Sequence, residues 1–537
     1  MKKITLAKKA GSGTILHKFN LWLKGLTGFK REKLSLTDKN KPNLIFLFPD
    51  QMRSDFLGCY GAKFIKTPNI DSIAENGIRY HNSYSSSPVC VPARSSLMTG
   101  MDAISNGILS NSPAIRPDHK EAGIKTWPEI LRESGYYTSA IGKMHFYPWT
   151  KKNGFMYRST TEDKRWLKVR DDYYYYLKEK GQKKYHGNEH EGYHENFGAV
   201  KSNLKWEDSW DHFVGNEACK FINEYGHEKP FAMMVGFPGP HDPYDPSEDF
   251  QVPFPDEDEM PPPIKGNKED AKKHKKIVLE GWKYPWADLD YEGINDEKIK
   301  KMRSHYSALI QQIDYEVGQI IKALKDNNLY DNSIIIFSSD HGDFLGDHGM
   351  MGKANFYESA MRVPLIISGK NIPKNIVEEN LVCLRDITST LLSLSGNDVP
   401  FYMDSIPLPN TPVDNKKRRK EIFGFLANGV MVFDGRYKLV RYATGEDLLF
   451  DLKNDPSEEK NIIEDENNMD ILDYLDEILV NRINLSRKIS MHSLTSGGTQ
   501  LTTDPVNPKV YDYQFEGWEW DYPTKIDTPV TRSFFNK

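Results

Sequence analysis

The chain has 537 residues, long enough to bury a sizeable core and to form two or more domains. A formal net charge of −5 at pH 7 argues against a nucleic-acid partner, which would need a basic surface. Four scattered cysteines with no C-x-x-C pair indicate neither a disulfide framework nor a zinc cluster. No run approaches the roughly 18 apolar residues of a membrane-spanning helix, so no transmembrane segment is expected.

Residues 1–40 are predicted to be a basic N-terminal extension. Residues 1–31 contain no acid. A basic amphipathic helix over 14–29 is one interpretation, and we favour its packing against the protein over contact with a membrane surface. An uninterrupted apolar segment typical of a secretory signal is missing, which favours a cytoplasmic location. A periplasmic or secreted protein is the alternative.

Buried strands alternate with helices over residues 41–412, which we assign to one large domain. Apolar runs predict strands at 43–48, 137–141, 230–237, 333–337 and 363–367. Helical spacing predicts helices at 126–134 and 296–327. This alternation indicates an α/β fold with a large mixed, mostly parallel sheet sandwiched by helices. Residues 151–215 are polar and aromatic and are interpreted as an excursion from the core, and 251–295 as a solvated insertion or lid.

The pattern changes after residue 412. Short runs at 421–426, 429–433, 436–442 and 447–452 are separated by Asn-Gly, Asp-Gly and Thr-Gly-Glu turns, which predict a four-stranded antiparallel meander. A helix at about 468–488 and an aromatic tail follow. Residues 413–537 are therefore predicted to form a small C-terminal α+β subdomain with an antiparallel sheet.

The segment from Ser87 to Gly100 predicts a turn followed by the start of a helix. Pro92 suits the first helical turn, which places Cys90 at or just before the helix N-terminus. That end of a helix favours an anion, and Arg94 lies about one turn further on, within reach of the same point. A nucleophile beside a fixed cation is one interpretation. A buried structural cysteine is the alternative.

Four of the predicted strands end in polar residues: Asp50-Gln51, Lys143 with His145, His241, and Asp340-His341. Ligands of open α/β sheets bind outside the carboxyl ends of the strands. Two carboxylates brought to one edge repel each other unless a cation lies between them. The strand ends therefore predict a divalent-metal site of Asp50, Gln51, Asp340 and His341. The alternative is that each aspartate caps the next helix.

Several short motifs occur in an order that resembles the formylglycine-dependent (type I) sulfatases of the alkaline phosphatase superfamily. They are Pro-Asp-Gln at 49–51, Cys-x-Pro-x-Arg at 90–94, Gly-Lys-Met-His at 142–145, Pro-His-x-Pro at 240–243, Ser-Asp-His-Gly at 339–342, and Gly352-Lys353. They span about 41–370, and the meander looks like the C-terminal subdomain of that family. The resemblance implies an alkaline phosphatase-like fold, with residues 41–412 as the sulfatase catalytic domain.

The resemblance also implies a role for each motif residue. Cys90, converted by a formylglycine-generating enzyme, is the nucleophile and joins the metal site. Arg94 and Lys143 hold the aldehyde hydrate and the sulfate. His241 and Lys353 stabilise or protonate the leaving oxygen, and His145 takes the proton from the second hydroxyl. All mapped positions carry chemically competent residues, which favours an enzyme over a non-catalytic binding protein that keeps Cys90 as a thiol.

Two positions depart from the commonest pattern of the family. Gln51 stands where many sulfatases have a second aspartate, and His341 where many have asparagine. Ca²⁺ is the first choice of metal, but an imidazole ligand keeps Mn²⁺ or Zn²⁺ open. The Asp-Gln and Asp-His pairs also resemble phosphonate monoester and phosphodiester hydrolases of the same superfamily, which makes phosphoryl transfer the alternative reaction.

The substrate is expected to be a sulfated saccharide, while an aryl or small alkyl sulfate stays open. Aromatic side chains on the predicted loops offer faces for sugar rings: Trp166, Tyr173, Trp206, Trp282, Trp286, Trp518 and Trp520. Arg165, Lys168 and Arg170 are suited to further anionic groups of a glycan. The alternative is that these aromatic side chains pack the loops onto the body. The sequence gives no indication of an oligomeric state.

Overall fold

In the computed structural model of the protein, the described residues are 41–493, apart from 112–114, 116–118, 120–122, 147, 165–166, 226–228, 267–269, 271–272, 275–282 and 285–286. The N-terminal extension with its 14–29 helix, the aromatic tail, and Arg165, Trp166, Trp282, Trp286, Trp518 and Trp520 lie outside them. Within the described residues, no helix is both long and apolar enough to cross a membrane.

The strands, in chain order, are β1 (Asn43–Leu47), β2 (Gly77–Tyr80), β3 (Ser83–Tyr84), β4 (Tyr137–Gly142), β5 (Tyr157–Thr160), β6 (Phe231–Gly236), β7 (Lys283–Tyr284), β8 (Leu289–Asp290), β9 (Ser333–Ser338), β10 (Leu365–Gly369), β11 (Ile376–Glu378), β12 (Val382–Cys383), β13 (Ile422–Leu426), β14 (Gly429–Phe433), β15 (Tyr437–Tyr442) and β16 (Leu448–Asp451).

The α-helices are α1 (Pro68–Glu75), α2 (Cys90–Thr99), α3 (Ala103–Asn106), α4 (Trp127–Glu133), α5 (Asp172–Glu179), α6 (Trp210–Glu224), α7 (Asp296–Asp326), α8 (Glu358–Met361), α9 (Asp386–Leu394) and α10 (Met469–Ser493). The predicted long helix at 296–327 agrees with α7, whose first turn is capped by Asn295 through a 2.9 Å bond from the Lys298 N–H.

The large sheet has the strand order β11-β2-β10-β9-β1-β6-β4-β5 among the described residues. Its centre is parallel, because β9, β1, β6, β4 and β5 pair in the same direction. β10 runs antiparallel to both of its neighbours, β9 and β2. The predicted fold class, a mixed and mostly parallel sheet between helices, is confirmed.

Both faces of the sheet are buried at its centre, which explains why β1, β6 and β9 read as mostly apolar runs. On β1, Ile45 and Leu47 face a core that includes α1, α6 and α7, while Leu44 and Phe46 face one that includes α2, α4 and α9. Burial of each such side chain contributes roughly 1.5–3 kcal/mol to the free energy of folding. The two cores hold the carboxyl ends of the central strands in fixed positions.

The interpretation of 151–215 as an excursion from the core was wrong in part. β5 forms the edge of the large sheet beside β4, and Tyr173 on α5 is fully buried against Trp210 and Phe213. The Tyr173 hydroxyl donates to the Asp208 carbonyl at 2.6 Å. This region contains a short strand and a helix that pack against α6, and its many polar residues prevented their prediction from the sequence. Likewise, residues 287–291 of the predicted solvated insertion bury Leu289 and Tyr291.

The C-terminal sheet has the order β13-β14-β15-β16 and is antiparallel throughout, as predicted. One face, including Met431, Val440 and Phe450, packs on Phe356 and Tyr357 from the segment that follows Lys353. The other face packs against Leu475 and Leu479 of α10. The small sheet therefore buttresses a loop that belongs to the site described next.

Candidate active site

Neighbouring parallel strands deliver the predicted site residues to one edge of the large sheet. β9, β1, β6 and β4 lie side by side, so their carboxyl ends meet at that edge. Asp340 and His341 follow β9, Asp50 and Gln51 follow β1, His241 follows β6, and Lys143 and His145 follow β4. Lys353 reaches the same point from the loop between β9 and α8. The structure brings all the predicted catalytic and metal-ligating residues together.

Helix α2 carries Cys90 as its first residue, as the sequence predicted. Val89 before it is extended, and the helix ends at Gly100, whose φ of 67° permits the left-handed turn that closes it. All residues of α2 are buried. The Cys90 side chain is thereby fixed at the positive end of a helix dipole, a position that stabilises negative charge.

Two aspartates and two cations form one side of the site, which we call the carboxylate side: Asp50, Asp340, Arg94 and Lys143. The Arg94 guanidinium donates to Asp50 at 2.8 Å and to Asp340 at 2.9 Å. The Lys143 Nζ lies 3.0 Å from Asp50. These side chains are at most 2% exposed. Each carboxylate on this side therefore has a cationic partner, which compensates for its burial.

The two aspartates of the carboxylate side also belong to a possible metal-binding group. Asp50, Cys90, Asp340 and His341 each offer an atom, and these atoms lie within 4.8 Å of one another. The Cys90 Sγ is 3.2 Å from the His341 Nε2 and 3.9 Å from an Asp50 oxygen. The His341 Nδ1 lies 2.9 Å from the Gly342 carbonyl, so Nδ1 donates to that carbonyl and Nε2 is the ring nitrogen that faces the group.

The opposite side, which we call the amide side, consists of Gln51, His241 and Lys353. The Lys353 Nζ lies 2.5 Å from the Gln51 Oε1 and 2.7 Å from the His241 Nε2. The His241 Nδ1 is 2.8 Å from the Asp242 carbonyl, which leaves Nε2 as the acceptor. Among the described residues, no carboxylate forms an ion pair with Lys353. The charge of Lys353 is thus not balanced by a carboxylate and acts on Cys90 instead.

Two site residues have backbones in the left-handed region, which non-glycine residues seldom adopt. Gln51 has a φ of 66° and His145 a φ of 58°. Such conformations persist only where the surroundings over-determine them, and they cluster at functional sites. The Gln51 N–H donates to Asp340 at 3.0 Å, and the His145 N–H donates to Glu162 at 3.0 Å. Carboxylates therefore hold both strained positions.

Electrostatics favour the anionic form of Cys90 and the neutral form of His145. Burial raises the pKa of the Cys90 thiol, but Lys353, His341 and nearby hydrogen bonds lower it by more, so it lies well below its ordinary value. Burial lowers the pKa of His145, although its hydrogen bond with Cys90 opposes this. Burial raises the pKa of Asp50, but Lys143 and Arg94 lower it well below its ordinary value.

Sequence reasoning missed three acids that support the site. Asp163 accepts from the Lys143 Nζ at 3.1 Å, and Glu162 holds the His145 backbone. Asp343 accepts from the Gln51 Nε2 at 2.5 Å. Glu162 and Asp163 lie just beyond β5, at the same sheet edge as the other strand-end residues, so recognising β5 would have revealed them. Asp343 lies two residues after His341, directly after the Ser-Asp-His-Gly motif at 339–342.

Of the aromatic residues expected to stack on a sugar, Tyr173 and Trp206 lie within the described residues. Tyr173 is in the core, as described above. Trp206 packs on His212, Phe250 and Tyr315. Lys168 and Arg170 are exposed. Tyr173 is therefore not available to a saccharide, whereas Trp206 is half-exposed and packs against its neighbours in part.

Comparison with known proteins assigns the family. A family model described as Sulfatase matches residues 42–397, about two thirds of the chain. The chain belongs to the sulfatase family. A second model, N-sulphoglucosamine sulphohydrolase, C-terminal, matches residues 346–484 of this sulfatase. As a family member it is a sulfuric ester hydrolase of the alkaline phosphatase superfamily, and the expectation of an enzyme is confirmed.

Relatives of known name cover most of this sulfatase. It is 30% identical over 487 residues to an arylsulfatase of Clostridium perfringens, which covers 82% of this chain and 94% of that protein. It is 29% identical over 454 residues to a choline-sulfatase of Rhizobium meliloti, with 79% and 83% covered. These relatives agree with sulfate ester hydrolysis as the reaction of this chain.

Solved structures share the fold at lower identity. A phosphonate monoester hydrolase of Agrobacterium radiobacter superimposes with a TM-score of 0.70 at 22% identity, covering 83% of this chain and 96% of that one. A protein in complex with its substrate D-glucosamine-2-N,6-O-disulfate superimposes with a TM-score of 0.65 at 21% identity, covering 83% and 98%. These likenesses establish the fold of this sulfatase.

Proposed function

We propose that this sulfatase hydrolyses sulfate esters with a formylglycine at position 90 and one divalent cation. The arrangement around Cys90 carries the proposal. Cys90 is buried between the paired carboxylates and Lys353, a cation without a carboxylate partner among the described residues. A sulfate oxygen beside the nucleophile would supply the missing negative charge. The site therefore suits an anionic substrate whose charge lies on the atoms that react.

The ligand set fits a divalent cation. The possible metal-binding group supplies two carboxylates, an imidazole nitrogen and the side chain at position 90. The amide oxygen of Gln51, which lies against the Lys353 Nζ, would complete the set. Hard cations such as Ca²⁺ prefer oxygen, to which the Cys90 sulfur is poorly matched. Replacing that sulfur by the oxygens of a hydrated aldehyde gives a set of oxygens with one nitrogen. Ca²⁺ is the first choice, and His341 keeps Mn²⁺ or Zn²⁺ as alternatives.

The chain's own residues would handle substrate and protons. The bound cation would lower the pKa of the attacking hydroxyl and neutralise sulfate oxygens. Arg94 and Lys143 hold the carboxylates in place and set positive charge beside position 90. Lys353 would stabilise or protonate the leaving oxygen, and His241, whose Nε2 accepts from the Lys353 Nζ, would orient that ammonium group. A neutral His145 would take the proton from the second hydroxyl, so that sulfate leaves and the aldehyde is restored.

Conversion of Cys90 is tested by mass spectrometry of its peptide, after co-expression with a formylglycine-generating enzyme. We expect the thiol to be replaced by an aldehyde, and Cys90→Ala to lose activity while folding normally. Cys59, a half-exposed cysteine outside the site, is the internal control and should stay a thiol. Fully active protein in which Cys90 remains a thiol would refute the nucleophile assignment.

The substrate class within sulfate esters is proposed to be a sulfated saccharide. The C-terminal match to N-sulphoglucosamine sulphohydrolase and the fold shared with a protein bound to a glucosamine disulfate support it. Exposed Lys168 and Arg170 could hold further anionic groups of a glycan. The arylsulfatase and choline-sulfatase relatives keep aryl and small alkyl esters as competing substrates.

A second candidate reaction is phosphonate monoester or phosphodiester hydrolysis. Gln51 and His341, which depart from the common sulfatase pattern, favour it, and a phosphonate monoester hydrolase shares the fold. The test compares kcat/KM for a sulfated glucosamine, an aryl sulfate, choline sulfate and an aryl phosphodiester on converted enzyme. We expect the sulfated saccharide to be the best substrate. A phosphodiester with the highest kcat/KM would establish the alternative.

A further inference from the structure

The side-chain amide of Gln51 is held at both ends. Its Nε2 lies 2.5 Å from an Asp343 oxygen, and its Oε1 lies 2.5 Å from the Lys353 Nζ. Its main chain is fixed as well, because the Tyr306 hydroxyl donates to the Gln51 carbonyl at 2.7 Å. Gln51 itself is fully buried. The amide therefore has one defined orientation.

That orientation decides whether Gln51 can serve a cation. An amide oxygen is an acceptor and a metal ligand, whereas the NH₂ group donates and repels a cation. The two ends have nearly the same shape, so sterics alone do not select between them. The hydrogen-bond partners make the choice. The Lys353 ammonium group only donates, so it faces the oxygen end, and Asp343 accepts from the NH₂ end through Oδ2, the oxygen that also accepts from Tyr244.

The surroundings of Asp343 fix its own position. The Tyr244 hydroxyl donates to the same oxygen, Oδ2, at 2.7 Å, and the Leu345 N–H donates to Oδ1 at 3.2 Å. Asp343 is fully buried. Among the described residues, no lysine or arginine forms an ion pair with it. An acid buried here without a cation is not explained by charge pairing. The side chain of Asp343 instead accepts hydrogen bonds from Gln51 and Tyr244.

We propose that Asp343 is a positioning residue that turns the Gln51 amide oxygen toward the cation and Lys353. This inference rests on the proposed function, in which Gln51 is a ligand of the divalent cation. Asp343 is not one of the residues of the possible metal-binding group. It acts through Gln51. An aspartate at position 51 would have two equivalent oxygens, whereas an amide can bind a cation only through its single oxygen and must therefore be oriented. Tyr244 holds Asp343 and plays the secondary part.

The main test is Asp343→Asn. The Oδ2 of Asp343 accepts from Gln51 and Tyr244, and Oδ1 accepts from Leu345. An asparagine cannot accept on both sides, so its NH₂ group would face either Leu345 or Gln51. If the NH₂ group of the asparagine faces Gln51, it favours the flipped orientation of the Gln51 amide, in which the Gln51 NH₂ group points at the cation. We expect the Kd for Ca²⁺ or Mn²⁺, measured by calorimetry on the full chain, to rise roughly 10–100-fold.

A double variant separates positioning from a merely structural role. In Gln51→Glu with Asp343→Asn, the two oxygens of the glutamate are equivalent, so no orientation has to be selected. The asparagine NH₂ can donate to one oxygen while the other faces the cation. We expect cation affinity to return to within about tenfold of the wild type or better. A structural role for Asp343 would leave the double variant as weak as the single one.

Tyr244→Phe is the matched control, because it removes one donor and keeps the bond between Asp343 and Gln51. Its Kd should stay within about threefold of the wild type. Wild-type affinity in Asp343→Asn, or no rescue in a folded double variant, would overturn the inference. If Asp343→Asn alone does not fold, the double variant decides in the same way. Failure of the proposed cation site itself differs, because the wild-type chain would then bind neither ion.

Discussion

The carboxylate side and the amide side of the site differ in how the charges of their side chains are balanced. On the carboxylate side, Asp50 and Asp340 are paired with Arg94 and Lys143, and all four side chains are almost fully buried. On the amide side, Lys353 is half-buried and lies against the neutral acceptors of Gln51 and His241. One side balances its charges internally, and the other leaves a cation to be balanced.

This difference separates what holds the site from what reacts in it. Buried ion pairs are expensive to break, so the carboxylate side should matter for stability as well as for activity. A cation without an acid partner contributes little to folding but stabilises an anion that arrives during the reaction. The four predictions that follow test this contrast, from the largest expected effect to the smallest.

Removing a carboxylate should damage both folding and catalysis. In Asp340→Ala, Arg94 loses one of its two acid partners and the cation site loses a ligand. We expect kcat/KM to fall at least roughly 10³-fold and the free energy of unfolding to fall by about 3 kcal/mol. Steady-state kinetics and chemical denaturation measure the two effects.

The control is Asp340→Asn, which keeps the shape of the side chain and an acceptor for the Arg94 guanidinium. It should lose activity to a similar degree while retaining more of the stability. An Asp340→Ala protein with wild-type stability would show that the carboxylate side does not support the fold. Wild-type cation affinity in that variant would remove Asp340 from the ligand set.

Removing the cation of the amide side should affect catalysis alone. Lys353→Met keeps the length of the side chain and deprives no acid of a partner among the described residues. We expect kcat to fall roughly 10²–10³-fold and the free energy of unfolding to change by less than about 1 kcal/mol. Lys353→Arg retains the charge and should lose less activity. A stability loss as large as that of Asp340→Ala would erase the distinction between the two sides.

The pH dependence should report on His145, whose side chain forms a hydrogen bond with Cys90. Burial lowers the pKa of His145 below its ordinary value near 6.5, so the ring is neutral in its resting state. A base works only when deprotonated, so activity should fall as pH drops through this lowered pKa. The acid limb of kcat is expected below pH 6.5. An acid limb centred above pH 7 would contradict the assignment of His145 as the base.

Low pH should also destabilise the part of the fold that supports the amide side. Burial, with Lys301 and Lys201 nearby, lowers the pKa of His305 to about 4. The His305 Nδ1 lies 3.3 Å from the carbonyl of Tyr244, the residue that holds Asp343. Between pH 6.5 and 4 this histidine binds a proton in the unfolded chain and not in the folded one, so stability falls as pH falls.

The expected loss from His305 is at most about 1.4 kcal/mol for each pH unit in that window. Equilibrium denaturation at a series of pH values measures it, with His305→Gln as the comparison, because glutamine retains an N–H donor without titrating. The variant should show a shallower dependence on pH. Equal slopes for both proteins would mean that other groups control the acid sensitivity.

Much of this architecture could be predicted because its signals are local. Apolar runs that stop at polar residues identified β1, β4, β6 and β9 and the chemistry at their ends. The residues of the C-terminal turns determined four strands to within two residues, since turn type depends on neighbouring positions. Cys90 at the start of α2 followed from Pro92 in the same way.

Other features depend on partners that are distant in sequence. The Nε2 of Gln51 and the carboxylate of Asp343 are separated by 292 positions, and no periodicity connects them. Likewise, Glu162 and Asp163 lie at the site only because β5 pairs with β4. β5 and Tyr173 looked solvent-exposed because their neighbours in the chain are polar, although long-range packing buries them.

The sequence by itself determined the strand-helix order, the C-terminal meander, the position of Cys90 and the residue types that meet at the sheet edge. Only the tertiary structure decided the direction of β10, the burial of β5 and Tyr173, and the division of the site into a paired and an unpaired side. The reason is physical. Propensity and periodicity act between residues a few positions apart, whereas charge compensation and amide orientation depend on which groups folding brings into contact.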